Sequence, residues 1–267
     1  MKVILSRKGF DSSNGGCPSP IMPGGTLLSI PIPSNDDVSY SDIGWNGKTY
    51  AEILKQINPK RKYKGCHVDP DIRDNRVKSV SNWKPAFGQT GAAQGLLSNA
   101  GVEPGDIFLF FGWFRQIEET DKGYCYSSKK PDDFYHGNDL QVIFGYMQIG
   151  KILTEKKDIK KYIWHPHAFK GYDRDANNVL YIPSKCLSFN PAMKGYGSLD
   201  FRKDRVLTMI GKGRATWNEY DFLMPEHVYG NKKNSAKGEG LYYAGIWQEL
   251  VVYESKGLIE WVKQIIR

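Results

Sequence analysis

The stretch Pro104-Gly105-Asp106-Ile107-Phe108-Leu109-Phe110-Phe111 decides how this chain folds. A Pro-Gly turn delivers the chain into five apolar residues in a row, the signature of a strongly apolar strand. The run is also far too short to cross a membrane, which takes about 18 apolar residues. Working outward, Asp139 to Leu153 carries a long strand pattern, with bends expected at Gly145 and Gly150. Lys2 to Ser6 predicts a first strand, Leu27 to Ile32 a second beside Pro31 and Pro33, and Val179 to Ile182 and Arg205 to Met209 shorter ones. Leu241 to Tyr253 holds another, centred on Glu249 to Tyr253.

Helices are fewer. Tyr50 to Ile57 predicts a short one, stopped by Asn58-Pro59, and Phe87 to Ala100 a longer one ended by Gly101. The chain closes on an amphipathic helix, with Ser255 as N-cap and Leu258, Ile259, Val262, Ile265 and Ile266 on one face. Strands outnumber helices and no repeat or linker interrupts them. The expectation is an α/β or α+β fold: a single compact domain over residues 1–267, with a mixed β-sheet flanked by helices.

Composition agrees with a globular chain. Of 267 residues, 25% are charged and 40% hydrophobic, which excludes a disordered tail. The first residues, Met1 to Lys8, return to charge after three apolar positions, as a strand does and a signal peptide does not. Cys17, Cys66, Cys125 and Cys186 are widely spaced, so free thiols and a cytoplasmic location are expected rather than disulfides or a zinc knuckle. Lys plus Arg exceed Asp plus Glu by 37 to 29, a net charge of +8 that permits a polyanionic partner without requiring one.

Three loops carry chemistry. The first is Ser6-Arg7-Lys8-Gly9-Phe10-Asp11-Ser12-Ser13-Asn14-Gly15-Gly16, just past the first strand, where α/β sheets gather ligands. Arg7 and Lys8 suit phosphates, Ser13 a polar contact and Asp11 a catalytic carboxylate; the spacing fits neither a Walker loop nor a dinucleotide fingerprint. The second runs from Lys60 to Arg76. Arg61, Lys62, Arg73 and Arg76 are phosphate-binding candidates, while His67 and Asp69 fall two apart, on one side of an extended segment, as an acid–base pair would. The third is His165-Pro166-His167. Two imidazoles are too few to hold a metal, and no third ligand stands nearby in sequence, so no metal and no cofactor is expected. Two further candidates for reading a base are Gln89 and the pair Trp113 and Arg115, at the far end of the apolar strand.

Three segments together carry a resemblance: the opening Ser6-to-Ile21 loop, His67-Val68-Asp69-Pro70, and Gly105-Asp106-Ile107-Phe108-Leu109-Phe110-Phe111-Gly112-Trp113-Phe114-Arg115. They resemble the third of the nucleotide modification associated domains, found in phage and bacterial gene clusters concerned with altered DNA bases. The likeness extends to Trp247-Gln248-Glu249-Leu250-Val251-Val252. It implies a nucleobase or nucleotide as substrate. A weaker likeness is to anti-phage DNA glycosylases acting on glucosylated hydroxymethylcytosine.

Three readings follow. In the first, a DNA-binding enzyme flips a modified base, glucosylated or otherwise, out of phage DNA and hydrolyses its N-glycosidic bond in antiviral defence. Asp11 or Asp69 would then stabilise the sugar cation, and His67 or His167 would assist the leaving base, with His165 binding. In the second, a transferase or hydrolase acts on a free modified nucleotide. In the third, a non-catalytic reader binds modified DNA.

Overall fold

The computed structural model describes residues 1–169, 171–172, 175–231, 240–243, 245 and 248–267. Its centre is a mixed sheet of nine strands: β1 (Val3–Arg7), β2 (Ser19–Ile21), β3 (Phe87–Gln89), β4 (Ile107–Thr120), β5 (Gly123–Tyr126), β6 (Leu140–Leu153), β7 (Val179–Pro183), β8 (Tyr196–Ser198) and β9 (Glu249–Val252). The main path runs β9-β1-β4-β6-β7-β3, with β2 and β5 on β4 and β8 on β6. Only β1–β4 and β2–β4 are parallel; the other pairings are antiparallel. Helices α1 (Tyr50–Ile57), α2 (Gly91–Asn99), α3 (Lys156–Ile159) and α4 (Lys256–Ile266) complete an α+β fold.

The apolar run Ile107–Phe111 is explained by two cores, one on each face of the sheet. Val3, Leu5, Ile107, Leu109 and Phe111 face one core, which α4 closes with Leu258, Val262, Ile265 and Ile266. Ile4, Phe108, Phe110 and Phe114 alternate onto the other, with Leu97 of α2. Each fully buried aliphatic of α4 contributes about 1.5–3 kcal/mol, so the helix is held by its apolar stripe as much as by the Ser255 cap, whose hydroxyl accepts from the Leu258 N–H. Bulges in β6 fall at the expected glycines, between Ile143 and Gly145 and between Ile149 and Lys151.

Three expectations change. The predicted helix Phe87 to Ala100 is in fact two elements: Phe87–Gln89 pairs with β7, and the helix begins only at Gly91, which adopts φ +59°. Leu27, Leu28 and Ile30 are buried, but Leu27 to Pro31 makes no ladder of its own, only an isolated bridge from Leu27 to Ile21; Pro31 and Pro33 lack donors, and the strand Ile32–Ser39 starts at the far end of this segment. Arg205 to Met209 is a 3₁₀ turn (Lys203–Arg205) followed by single bridges at Val206 and Thr208. Of the predicted Leu241 to Tyr253 strand, Leu241–Tyr242 and β9 form, while positions 244, 246 and 247, including Trp247, lie outside the described residues. All four cysteines are free. Among the described residues no helix is long and apolar enough to cross a membrane.

Candidate active site

The parallel strands β1 and β4 end side by side, Arg7 opposite Phe111, and the first loop leaves the sheet there. Asp11 shapes that loop. Its Oδ1 accepts from the backbone N–H of Ser13 (2.8 Å) and Asn14 (2.6 Å), and Arg7 sits 3.7 Å from its other oxygen. The basic segment folds against the same loop: Arg61 Nη1 and the Tyr63 hydroxyl both donate to the Gly15 carbonyl, at 2.9 and 2.7 Å. A side chain at Gly16 would collide with Arg61 (Cβ to Nη1 2.4 Å), so this approach needs glycine, at φ +75°.

Beside the loop lies a cleft of about 440 Å³, within the range of small-ligand sites. It is lined by Arg7, Lys8, Asp11 and Asn14 from the first loop, His67 and Asp69 from the second, and His167 and Tyr172 from the third, with Gln89 and Thr90 between. The His67–Val68–Asp69 segment leaves the strand Gly65–His67 and reaches β3, where Asp69 Oδ1 accepts from the Gly88 N–H at 2.9 Å. His167 arrives on a 3₁₀ turn, Pro166–Ala168, pinned by Asn178: Nδ1 lies 2.6 Å from Asn178 Oδ1, and Asn178 Nδ2 donates to the His167 carbonyl. Tyr172 stacks on its ring at 4.4 Å. His67 Nδ1 lies 2.6 Å from Asp36 Oδ2, with the Tyr172 hydroxyl 3.1 Å away.

Burial and charge oppose each other here. Burial alone would raise the Asp69 carboxyl, but the His165 imidazole 3.4 Å away, with those of His167 and His67, outweighs it and holds it down at about 2. Burial pushes His167 down to about 4 against the pull of Asp69, so its ring is neutral at pH 7. Asp36 is likewise lowered: burial raises it, and His67 pulls harder the other way.

Behind the cleft, Glu249 of β9 is wholly buried. Its Oε1 accepts from Ser6 (2.9 Å), Lys8 Nζ (3.1 Å) and Gln89 Nε2 (2.6 Å), while Oε2 has no partner among the described residues. Burial raises this carboxyl, opposed by Lys8 and the hydrogen bonds. A second cleft of about 400 Å³ shares Arg7, Asp11 and Asn14 as its wall and adds Ser13, Trp113, Gln141 and Arg214. There the Arg214 guanidinium covers the Trp113 ring at 3.8 Å.

The sequence-flagged residues therefore divide. Asp11, His67, Asp69, His167, Arg7, Lys8 and Gln89 meet at the first cleft; Ser13 and Trp113 line the second. His165 is fully buried behind Asp69, with Nε2 3.4 Å from Oδ1. Lys8 is committed to Glu249 and lies 4.5 Å over Phe87 rather than projecting to solvent. Arg76 is bidentate to buried Asp71, at 2.9 and 2.7 Å, and serves the fold. Arg115 pairs with Asp139, and Arg73 reaches Ser198 at the edge of a third, smaller cavity. Arg61 and Lys62 are exposed, beside the first loop. Nothing in the local sequence marks Asp36, Tyr172 or Asn178: Asp36 sits in the polar run Ser34-Asn35-Asp36-Asp37 and Asn178 follows Asn177, as in ordinary turns. Glu249 did carry a signal, as a charge in an otherwise apolar strand.

An α+β protein whose loops bring a buried carboxylate and two imidazoles to one cleft at the ends of its parallel strands has the outline of a small-molecule or nucleotide site. The family described as nucleotide modification associated domain 3 matches residues 2–252, and the chain belongs to it. That family ties the chain to systems that modify nucleotides. No curated protein matches, and no solved structure matches.

Proposed function

We propose that this chain is a hydrolase that takes one modified nucleotide of DNA, flipped out of the helix, into the first cleft and cleaves its N-glycosidic bond. The observation that carries the reading is convergence. Two loops far apart in sequence place His67 and Asp69, from the second, and His167, from the third, with one donor atom each, mutually within 4.8 Å. A single oxygen between them lies within about 2.8 Å of all three, hydrogen-bonding distance. A water held there is oriented and polarised by two imidazoles and an anionic carboxylate. The same negative charge favours the cation that develops on the sugar as the base departs. Arg7 at the rim, with exposed Arg61 and Lys62 beside the first loop, supplies phosphate contacts to the flanking strand.

A second reading, hydrolysis or transfer on a free modified nucleotide, is favoured by how few of the flagged cations remain available. Lys8, Arg76 and Arg115 are already paired with carboxylates, which leaves a short basic rim for a long duplex. Incubating the protein with modified and unmodified DNA, and separately with the modified nucleotides, decides between them. Released base and abasic sites on modified DNA alone support the first reading. Turnover of nucleotides without DNA cleavage supports the second. Tight binding of modified DNA with no product contradicts both and leaves a reader.

A further inference from the structure

The cluster that joins the second and third loops has a property that water activation alone does not demand. Each of its residues turns one polar atom inward and has its other polar atom fastened from behind. His67 Nδ1 is held by Asp36 and His167 Nδ1 by Asn178, both at 2.6 Å, which leaves the Nε2 atom of each ring. Asp69 Oδ1 is held by the Gly88 N–H, which leaves Oδ2. The inward atoms do not hydrogen-bond one another: His67 Nε2 stands 3.9 Å from Asp69 Oδ2. A structural network of buried histidines and carboxylates would be expected to close such gaps. Outer partners that fix ring orientation while the inner atoms stay apart are instead the arrangement of metal ligands, with the carboxylate–histidine pair Asp36–His67 as its best-known form.

We infer that His67, Asp69 and His167 form a binding site for one divalent transition-metal ion, through Nε2, Oδ2 and Nε2. Two imidazoles and one carboxylate suit zinc or iron(II) and disfavour magnesium and calcium, which take oxygen-rich shells. The fit is close. From a point about 2.8 Å from all three atoms, a contraction of about 0.7 Å each reaches the ordinary Zn–N and Zn–O distances of about 2.0–2.2 Å. Three protein ligands leave at least one position open, and all three residues line the cleft, so the open position faces the ligand space. Of the His-Pro-His pair, His167 alone thus finds partners, in His67 and Asp69 far upstream, while His165 stands behind Asp69. Gly88 is part of the fit, since a Cβ there would sit 2.6 Å from His167 Nε2. This site deepens the water-activating role given above, but ion binding itself does not rest on that reading.

The test uses full-length, tag-free protein stripped with chelator and titrated with Zn2+ by calorimetry, with Co2+ as a spectroscopic probe and no nucleotide present. Expected are one ion per chain, submicromolar affinity for Zn2+, and an intense visible Co2+ spectrum of a four- or five-coordinate site. His67→Ala and Asp69→Ala each weaken Zn2+ at least 100-fold. Asp36→Asn and Asn178→Ala, which touch only the outer atoms, weaken it about 10–100-fold and shift the Co2+ bands. Mg2+ does not compete. Circular dichroism shows each variant to be folded, and the outer-atom pair keeps the test decisive if an inner variant is not. Absence of stoichiometric binding overturns the inference, as does Zn2+ binding unchanged in folded His67→Ala and Asp69→Ala. Ion binding without base release would count against the hydrolase reading alone; base release undiminished in stripped protein that binds no ion would count against the metal site alone.

Discussion

The Nδ1 atom of His67 lies 2.6 Å from Oδ2 of Asp36, and that contact turns the opposite ring nitrogen toward Asp69. Asp36 belongs to the strand Ile32–Ser39, which pairs with Gly65–His67. A two-stranded ladder separate from the main sheet therefore aims a side chain into a cleft at the main sheet's edge. Organisation of this kind, an inner group oriented by an outer one, separates the residues expected to act from those expected to hold.

The two carboxylates of the cleft should differ sharply. Asp69→Asn removes the anion among the imidazoles and is expected to lower base release at least about 10³-fold while modified-DNA affinity changes only a few-fold. Asp11 spends its carboxylate on the N–H groups of Ser13 and Asn14, a task an asparagine side chain can also perform. Asp11→Asn should retain activity to within about tenfold. Rates from single-turnover assays check both, and equal losses would mean that the wrong carboxylate has been placed at the reaction.

Stability of the metal-free protein should depend on pH through His167. Its folded-state value, about 4, lies below the ordinary 6.5, so between these values the unfolded chain binds a proton that the folded chain refuses. The stabilisation is complete above about pH 6.5 and is lost as pH falls toward 4, amounting to about 3 kcal/mol. Asp69, held at about 2, adds a further loss below its ordinary 3.8. Urea denaturation from pH 7 to 4 measures the slope, and His167→Gln should flatten it; an unchanged slope in that variant contradicts the assignment.

Glu249 and Lys8 form a buried pair, with Nζ 3.1 Å from Oε1 and both side chains almost wholly shielded from solvent. Glu249→Ala leaves the ammonium buried without its counter-charge and should cost about 3–5 kcal/mol. Replacing both, Lys8→Met with Glu249→Gln, keeps an acceptor for Ser6 and Gln89 and should recover most of that loss. Chemical denaturation of wild type and the two variants reads the difference.

Gly88 and Gly95 offer a paired test of backbone approach. A Cβ at Gly88 meets the His167 ring at 2.2 Å, so Gly88→Ala should destabilise by about 1–3 kcal/mol and abolish activity. At Gly95, inside α2, the nearest atom is 3.9 Å away, and Gly95→Ala should stabilise by about 0.5–1 kcal/mol with activity intact. Thermal melts and the base-release assay together separate the two effects.

Legibility from sequence followed the range of the determining forces. The Tyr50–Ile57 helix was readable to the residue because its limits are local: Thr49 and Glu52 form a reciprocal cap and Asn58-Pro59 ends it. Phe87-Gly88-Gln89 misled because its strand state comes from pairing with β7 and from the close approach of His167, neither of which leaves a mark in the local pattern. Leu27, Leu28 and Ile30 are apolar because they are buried, and burial does not require a ladder. Within the site, His67, Asp69 and His167 were visible one motif at a time. Their meeting depends on the sheet bringing residue 167 back to residue 69, and so did the chance of seeing a complete ligand set. The basic residues were legible as charges but not as partners; burial alone tells Arg76, fixed on Asp71, from exposed Lys62.

The central claim is that His67, Asp69 and His167 act as one site on a modified nucleotide. A double-mutant cycle on base release from modified DNA tests it most directly: wild type, Asp69→Asn, His167→Gln and the double variant, each shown to be folded and to bind DNA. Residues that serve a single held water or ion fail together, so the double variant should be no slower than the worse single variant to within a few-fold. Losses that multiply would show two independent contributions, and base release undiminished in either single variant would remove that residue from the site.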